Sequence, residues 1–119
     1  METVIRIQKA IDYIEGHILD ELKYDIVAAQ DYMSSYHFQR IFSILCDTTL
    51  GEYIRSRRLS LAGFDLQTTS TKVIDIALKY GYDSPESFSR AFTRFHGITP
   101  TTARSRGCDI KLFAKILLL

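Results

Sequence analysis

Two short stretches of the chain gather side chains able to read a hydrogen-bonding surface. Tyr36, Gln39, Arg40 and Ser43 fall at i, i+3, i+4 and i+7, and Glu86, Ser89, Arg90 and Thr93 repeat that spacing 50 residues later. On a helix this spacing puts each set on one face. Arginine can donate two bonds to guanine, glutamine can pair with adenine, glutamate can accept from cytosine, and small hydroxyls fit beside phosphates or thymine methyls. The chemistry is that of contact with the major groove of a duplex. A polar helix face is by default merely solvated. Three features set these two apart: each helix follows a shorter one across a tight connection, each is preceded by a serine, Ser34 or Ser84, whose cap leaves backbone donors suited to phosphate, and the arrangement occurs twice.

The elements that must hold these faces outward show the same duplication. HFQRIFSILCDTTLGEY, from His37, aligns with SFSRAFTRFHGITPTTA, from Ser87, at an offset of 50, pairing Phe38 with Phe88, Phe42 with Phe92 and Thr49 with Thr99. Upstream the offset slips to 49, where Val27-Ala28 matches Ile76-Ala77. Two copies are too few for a solenoid and point to a duplicated small motif. The periodicity is helical throughout. Ile7, Ala10, Ile11, Ile14 and Ile18 predict a first helix, a second runs roughly over 25–32, and Phe38, Ile41, Phe42 and Leu45 form the apolar stripe of a third. Thr49 and Glu52 form a capping-box pattern opening a long helix whose apolar residues spread over more than one side. A short helix over about 72–80 stops at Gly81, Ser84-Pro85 opens the next, and Thr99-Pro100 opens a last one ending near Arg104. The fold class is all-α, with about seven helices.

Composition narrows the functions. At 119 residues and 46% apolar, the chain suits one compact domain or two very small subdomains. The net charge is only +1, but residues 1–33 are acidic on balance while 34–64 and 84–106 carry the basic excess. Local patches of that kind can neutralise phosphates on a contacting face. Cys46 and Cys108 lie far apart outside any CxxC pair, and His17, His37 and His96 have no ligand spacing, so no metal or cofactor is expected and the thiols are read as reduced. No nucleophile elbow, phosphate loop, H-E-x-x-H or glycine-rich nucleotide fingerprint occurs, so the chain is not read as an enzyme. The N-terminus lacks the pattern of a signal peptide, and the longest apolar run, 116–119, is too short to cross a bilayer, so no membrane partner is expected.

The stretch from Thr49 to Ser105 resembles the signature region of the AraC/XylS regulators. The marks are EYIRSRRLSLA, the helix pair IAxxxGYxSxxSFSRAF and the turn GITP, with SSYHFQRIF upstream similar to that family's first recognition helix. The resemblance covers about residues 4–106. It implies a sequence-specific, double-stranded-DNA-binding transcription regulator, bacterial and cytoplasmic (nucleoid-associated), whose two recognition helices enter successive major grooves, about 34 Å apart. The implied architecture is two homeodomain-like three-helix units, 1–48 and 69–106, joined by a linker helix over 49–68. By position Tyr36, Gln39, Arg40, Glu86, Ser89 and Arg90 are the base-reading candidates. Ser34, Ser35, His37 and Ser43 are phosphate candidates in the first unit, and Ser84, Ser87, Thr93 and Arg94 in the second. Arg55 and Arg58 on the linker, and Thr101, Thr102 and Arg104 near the end, complete the phosphate candidates; for the linker arginines, simple helix solubility is an equal reading. Asp47 stands where the repeat has Gly97, so the first turn is expected to differ slightly. Pro85 and Glu86 bring no basic or amide group to the start of the second helix, which weakens base reading there.

Two readings stay open for the apolar tail, 107–119: the start of a missing C-terminal domain binding a small effector, or a segment packed on the helices already named. Transcription activation would add RNA polymerase as a partner. The alternative function is a helical protein-interaction domain without DNA binding, whose same faces meet another protein; selection from a pool of random duplexes separates the two.

Overall fold

The computed structural model describes residues 2–105 and 109–118. Among these residues it is all-helical: α1 (Glu2–Gly16), α2 (Tyr24–Ala29), α3 (Ser35–Cys46), α4 (Leu50–Thr68), α5 (Val73–Lys79), α6 (Pro85–His96) and α7 (Pro100–Ala103). The helices divide between two compact units, the boundary falling inside α4 between Arg55 and Ser56. The second predicted helix is shorter than the sequence suggests: α2 stops at Ala29, and Gln30 caps it.

In the first unit α2 packs against both α1 and α3. The predicted stripe of α1 is buried at Ile7, Ala10, Ile11 and Ile14, and α2 buries Val27 and Ala28. α3 buries Phe38 and Phe42, whose ring centroids lie 5.9 Å apart, and Tyr53 from α4 stands 5.7 Å from the Phe42 ring. Tyr53 is fully buried as a ring, yet its hydroxyl donates to Glu15 Oε1 at 3.0 Å. That bond removes the penalty of an unpaired buried hydroxyl.

The second unit repeats the plan. α5 packs on α6, and α6 on α7. Its core joins Leu59, Ala62 and Leu66 of α4 to Ile76, Ala77 and Tyr80 of α5, Phe88 and Phe92 of α6, and Ala103 of α7. The long helix therefore has no single apolar stripe: its first turns bury Leu50, Tyr53 and Ile54, and its later turns Leu59, Ala62 and Leu66. Gly63 is the position where a side chain on α4 would crowd its neighbours. A Cβ there would stand 3.0 Å from the His96 ring and 3.1 Å from Ile110. Glycine inside a helix costs about 1 kcal/mol relative to alanine; here it admits the close approach of His96.

That histidine also organises the tail. Its Nδ1 accepts the backbone N–H of Lys111 at 2.9 Å, so the proton sits on Nε2, which donates to the Leu59 carbonyl at 2.7 Å. Still in the second unit, Phe113 N–H donates to Ser60 Oγ and its carbonyl accepts from Arg57. In the first unit, Lys115 pairs with Asp12 at 2.6 Å, and Gln8 holds both the Ile116 carbonyl and the Leu118 N–H. Side chains thus satisfy an extended backbone that has no strand partner among the described residues. Leu112 and Leu117 face solvent, while Phe113, Ile116 and Leu118 are half-buried.

Burial of the His96 ring is the main cause lowering its pKa below the ordinary histidine value, the nearby Lys111 charge adding to it and the bond to Leu59 opposing it. A histidine so depressed stabilises the fold fully above its unfolded pKa, and that stability is lost as the pH falls from there through the lower folded value. His96→Gln keeps a donor and an acceptor but cannot titrate. The melting-temperature advantage of wild type over His96→Gln is therefore expected to shrink between pH 7.5 and pH 5; an advantage that is constant or grows on acidification refutes the assignment.

Candidate nucleic-acid interface

The two candidate reading helices are rotated alike about their axes because each is pinned by two buried phenylalanines one turn apart. Phe38 and Phe42 are fully buried in α3, and Phe88 and Phe92 in α6. The face opposite them is the one singled out in the sequence. Tyr36 is 75% exposed, Arg40 is exposed, and Gln39 and Ser43 are half-buried along the same side. On α6, Glu86, Arg90 and Arg94 are exposed, with Ser89 and Thr93 half-buried. No hydrogen bond or ion pair to another described residue engages the Arg40 or Arg90 guanidinium, so all five donors of each remain available. Gln39 is held differently: its Nε2 donates to Ser35 Oγ at 2.9 Å, which orients the amide one turn below the helix start.

Both helices begin at the expected serines. Ser34 Oγ accepts from His37 N–H at 3.3 Å, and Ser84 Oγ accepts from Ser87 N–H at 3.1 Å. The second cap is the tighter one, since Ser87 Oγ also donates to the Ser84 carbonyl at 3.0 Å. Both helices end in a left-handed residue, Asp47 (φ 55°, ψ 33°) or Gly97 (φ 79°, ψ 0°), whose N–H returns to the carbonyl of Ser43 or Thr93. The difference expected at Asp47 is thus small: the same bond closes both ends. Thr99 caps α7 by accepting from Thr102 N–H, with Thr101 and Thr102 exposed.

The arginines outside the reading helices fare differently from one another. Arg55 is exposed and pairs with Glu52 at 2.8 Å on the helix surface. Arg58 is half-buried. Arg104 is engaged with its own chain: its guanidinium donates to the carbonyls of Leu66, Thr69 and Thr71 at the end of α4 and just beyond. There a cation meets the negative end of the helix dipole. Periodicity could not reveal that role, because it depends on a contact made 33–38 residues away.

Among the described residues no group of His, Cys, Asp and Glu could hold a metal, and no helix is long and apolar enough to cross a membrane. Cys46 is half-buried and burial pushes its thiol up to about 11, which makes it a poor nucleophile at neutral pH. Cys108 lies outside the described residues.

A family model for a helix-turn-helix domain matches residues 27–106. The chain is 44% identical over 100 residues to the regulatory protein SoxS of Salmonella typhimurium, covering 84% of this chain and 94% of that one. It is similar to a crystal structure of an AraC-type transcriptional regulator from Chromobacterium violaceum, with a TM-score of 0.80 at 27% identity over 87% of this chain and 92% of the other. It also shares the fold of the AdpA DNA-binding domain, solved in complex with a target DNA, with a TM-score of 0.76 at 24% identity over 82% and 88% of the two chains.

The two caps are expected to matter unequally for the helices they open. Ser34→Ala and Ser84→Ala should each cost about 1 kcal/mol of stability, with Ser84→Ala the larger because it also removes the bond that Ser84 Oγ donates to Ser87 Oγ at 3.1 Å. Chemical denaturation of both variants checks the order; equal or reversed losses contradict the geometry of the second cap.

Proposed function

Because the chain belongs to the AraC/XylS family of helix-turn-helix, DNA-binding transcription regulators, we propose that α3 and α6 are its two reading helices and that each enters a major groove of one bipartite site. The observation that carries this is the repeated burial pattern, two buried phenylalanines with an unpaired arginine on the opposite face of each helix. Tyr36, Gln39 and Arg40 read base edges from α3, and Arg90, with Ser89 and Glu86, does so from α6. The capped helix starts at Ser34 and Ser84, with His37, Ser35 and Ser87 beside them, sit against phosphates. Ser43, Thr93 and Arg94, further along the same faces, and Arg55, Arg58, Thr101 and Thr102 extend the backbone contacts. Arg104, engaged with its own chain, is the weakest of the candidates.

The two units are not equal readers. The first presents an aromatic ring, an oriented amide and a guanidinium; the second presents a carboxylate, a short hydroxyl and a guanidinium. Base contacts specify and phosphate contacts position, so the first unit supplies most of the specificity and the second anchors. Residues 1–106 carry this activity. The hydrogen bonds made by residues 111–118 support reading the tail as packed on this domain. An RNA polymerase contact follows if the regulator activates, and transcription from a promoter carrying the selected site, with purified polymerase, measures that directly.

Selection from random duplexes is expected to enrich a bipartite site, with binding that weakens steeply as salt is added. On that site Arg40→Ala should cost about 1–3 kcal/mol and relax selectivity at one or two base pairs. Arg90→Ala should weaken binding more evenly across sequences. A base-by-base substitution scan with wild type and both variants decides it: greater relaxation from Arg90→Ala overturns the asymmetry, and failure of the wild type to enrich any sequence overturns the reading itself.

A further inference from the structure

The connection between α2 and α3 contains two adjacent residues that each cost the fold something. Tyr32 has φ 56°, the left-handed region that a side chain with a Cβ enters only against steric resistance. At the offset of 49 its counterpart between α5 and α6 is Gly81, at φ 87°. The two turns are built alike. Tyr32 N–H donates to the Ala29 carbonyl and Gly81 N–H to that of Leu78, while Met33 N–H returns to Ala28 and Tyr82 N–H to Ala77. The second unit fills this position with the residue that needs no strain; the first fills it with tyrosine.

Among the described residues nothing compensates. Tyr32 is 95% exposed, and its hydroxyl has no hydrogen-bond partner among the described residues. Its neighbour Asp31 is only 2% exposed, and its Oδ2 is buried without a partner among those residues. Burial raises the Asp31 carboxyl above the usual range, with the charges of Lys9 and Arg6 opposing. The counterpart of Asp31 is Tyr80, which instead donates to Asp65 at 2.7 Å. A strained backbone beside an unsatisfied buried group, absent from the sister turn, is the signature of a position kept for contact rather than for folding.

We propose that Tyr32 is a further DNA contact of the first unit, its phenol donating a hydrogen bond to a backbone phosphate beside α3. The inference rests on α3 being a reading helix. When such a helix enters the groove by its N-terminal end, the preceding helix crosses the backbone, so the connecting turn lies along a phosphate strand. Tyr32 stands two residues ahead of the Ser34 cap and four ahead of Tyr36. Tyrosine is among the neutral donors that serve phosphates, and being uncharged it displaces no counterion.

The test uses the full chain and a duplex selected by the wild type, with three measurements: melting temperature, affinity by fluorescence anisotropy, and the slope of affinity against salt. Tyr32→Gly is expected to raise the melting temperature by a few degrees, as relief of strain requires, while weakening DNA binding roughly three- to tenfold, the loss of one neutral hydrogen bond. Tyr32→Phe keeps the backbone and ring, should leave the melting temperature unchanged, and should lose a similar factor in affinity. The salt slope should match wild type in both. Wild-type affinity in either variant overturns the contact, as does a reduced slope, which belongs to a lost cation. A Tyr32→Gly variant that melts lower overturns the strain argument. Unchanged DNA affinity with impaired transcription by purified polymerase assigns the phenol to a protein partner and overturns the DNA proposal. If the wild type selects no duplex, the reading of α3 fails first and this contact with it, an outcome distinct from all the others.

Discussion

The interaction on which the rest of the structure depends is the burial of two phenylalanines, one helical turn apart, in each of α3 and α6. A single buried residue would leave a helix free to roll; two at i and i+4 fix its rotation about the axis. Phe38 and Phe42, and Phe88 and Phe92, are fully buried, and the ring pairs sit 5.9 and 5.5 Å apart, within the range in which aromatic contacts add to simple burial. With the rotation set, Arg40 and Arg90 have only one direction to face. The apolar core decides which side chains can meet DNA without itself touching it.

The second requirement is that each reading helix begin and end at a fixed point. Serine caps fix the starts, and left-handed residues fix the ends at Asp47 and Gly97. These termini are local chemistry, which is why they could be read from the residues alone. The threonine cap at Thr49, the proline after Ser84 and the breaker at Gly81 all act where the sequence places them, while the Glu52 carboxylate of the expected capping box pairs with Arg55. The rotation of the reading helices was equally readable, since a stripe of phenylalanines at helical spacing has one way to be buried.

What could not be read depended on contacts distant along the chain. Arg104 reads in the sequence as a phosphate candidate, and the structure engages its guanidinium with the carbonyls at the end of α4 and just beyond. The tail is a stronger case. Its composition left two readings open because a short apolar run carries no register, and the side chains that hold its backbone, from Gln8 to His96, are spread over almost the whole sequence. Asp31 belongs to the same class, for no periodicity shows that a carboxylate will be buried without a partner. The Tyr32 turn lies between these extremes: the alignment at offset 49 sets tyrosine against glycine, but the meaning of that pairing appears only once both are seen in the left-handed region.

The duplication turns these observations into a controlled comparison, since each unit serves as the reference for the other. Where both units agree, at the phenylalanines, the serine caps and the arginines, the shared feature is what a reading helix of this kind requires. Where they differ on the outward face, at Tyr36 against Glu86 and Gln39 against Ser89, the readers differ, and two further differences flank that face. At the entrance the first unit carries Asp31 and Tyr32 where the second has Tyr80 and Gly81. Near the exit it carries Ile44, 73% exposed, where the second has Arg94. An added cation strengthens attraction to any phosphate strand, whereas an exposed apolar side chain gains only where it meets a complementary surface such as a thymine methyl. The second unit is thus the less strained at its entrance and carries the added cation. The first accepts local strain and forgoes a charge, and it presents its most distinctive side chains, Tyr36 and Gln39, on the helix so exposed. On the reading proposed above, that contrast is the physical basis on which one half of a duplicated domain would specify a sequence while the other holds it in place.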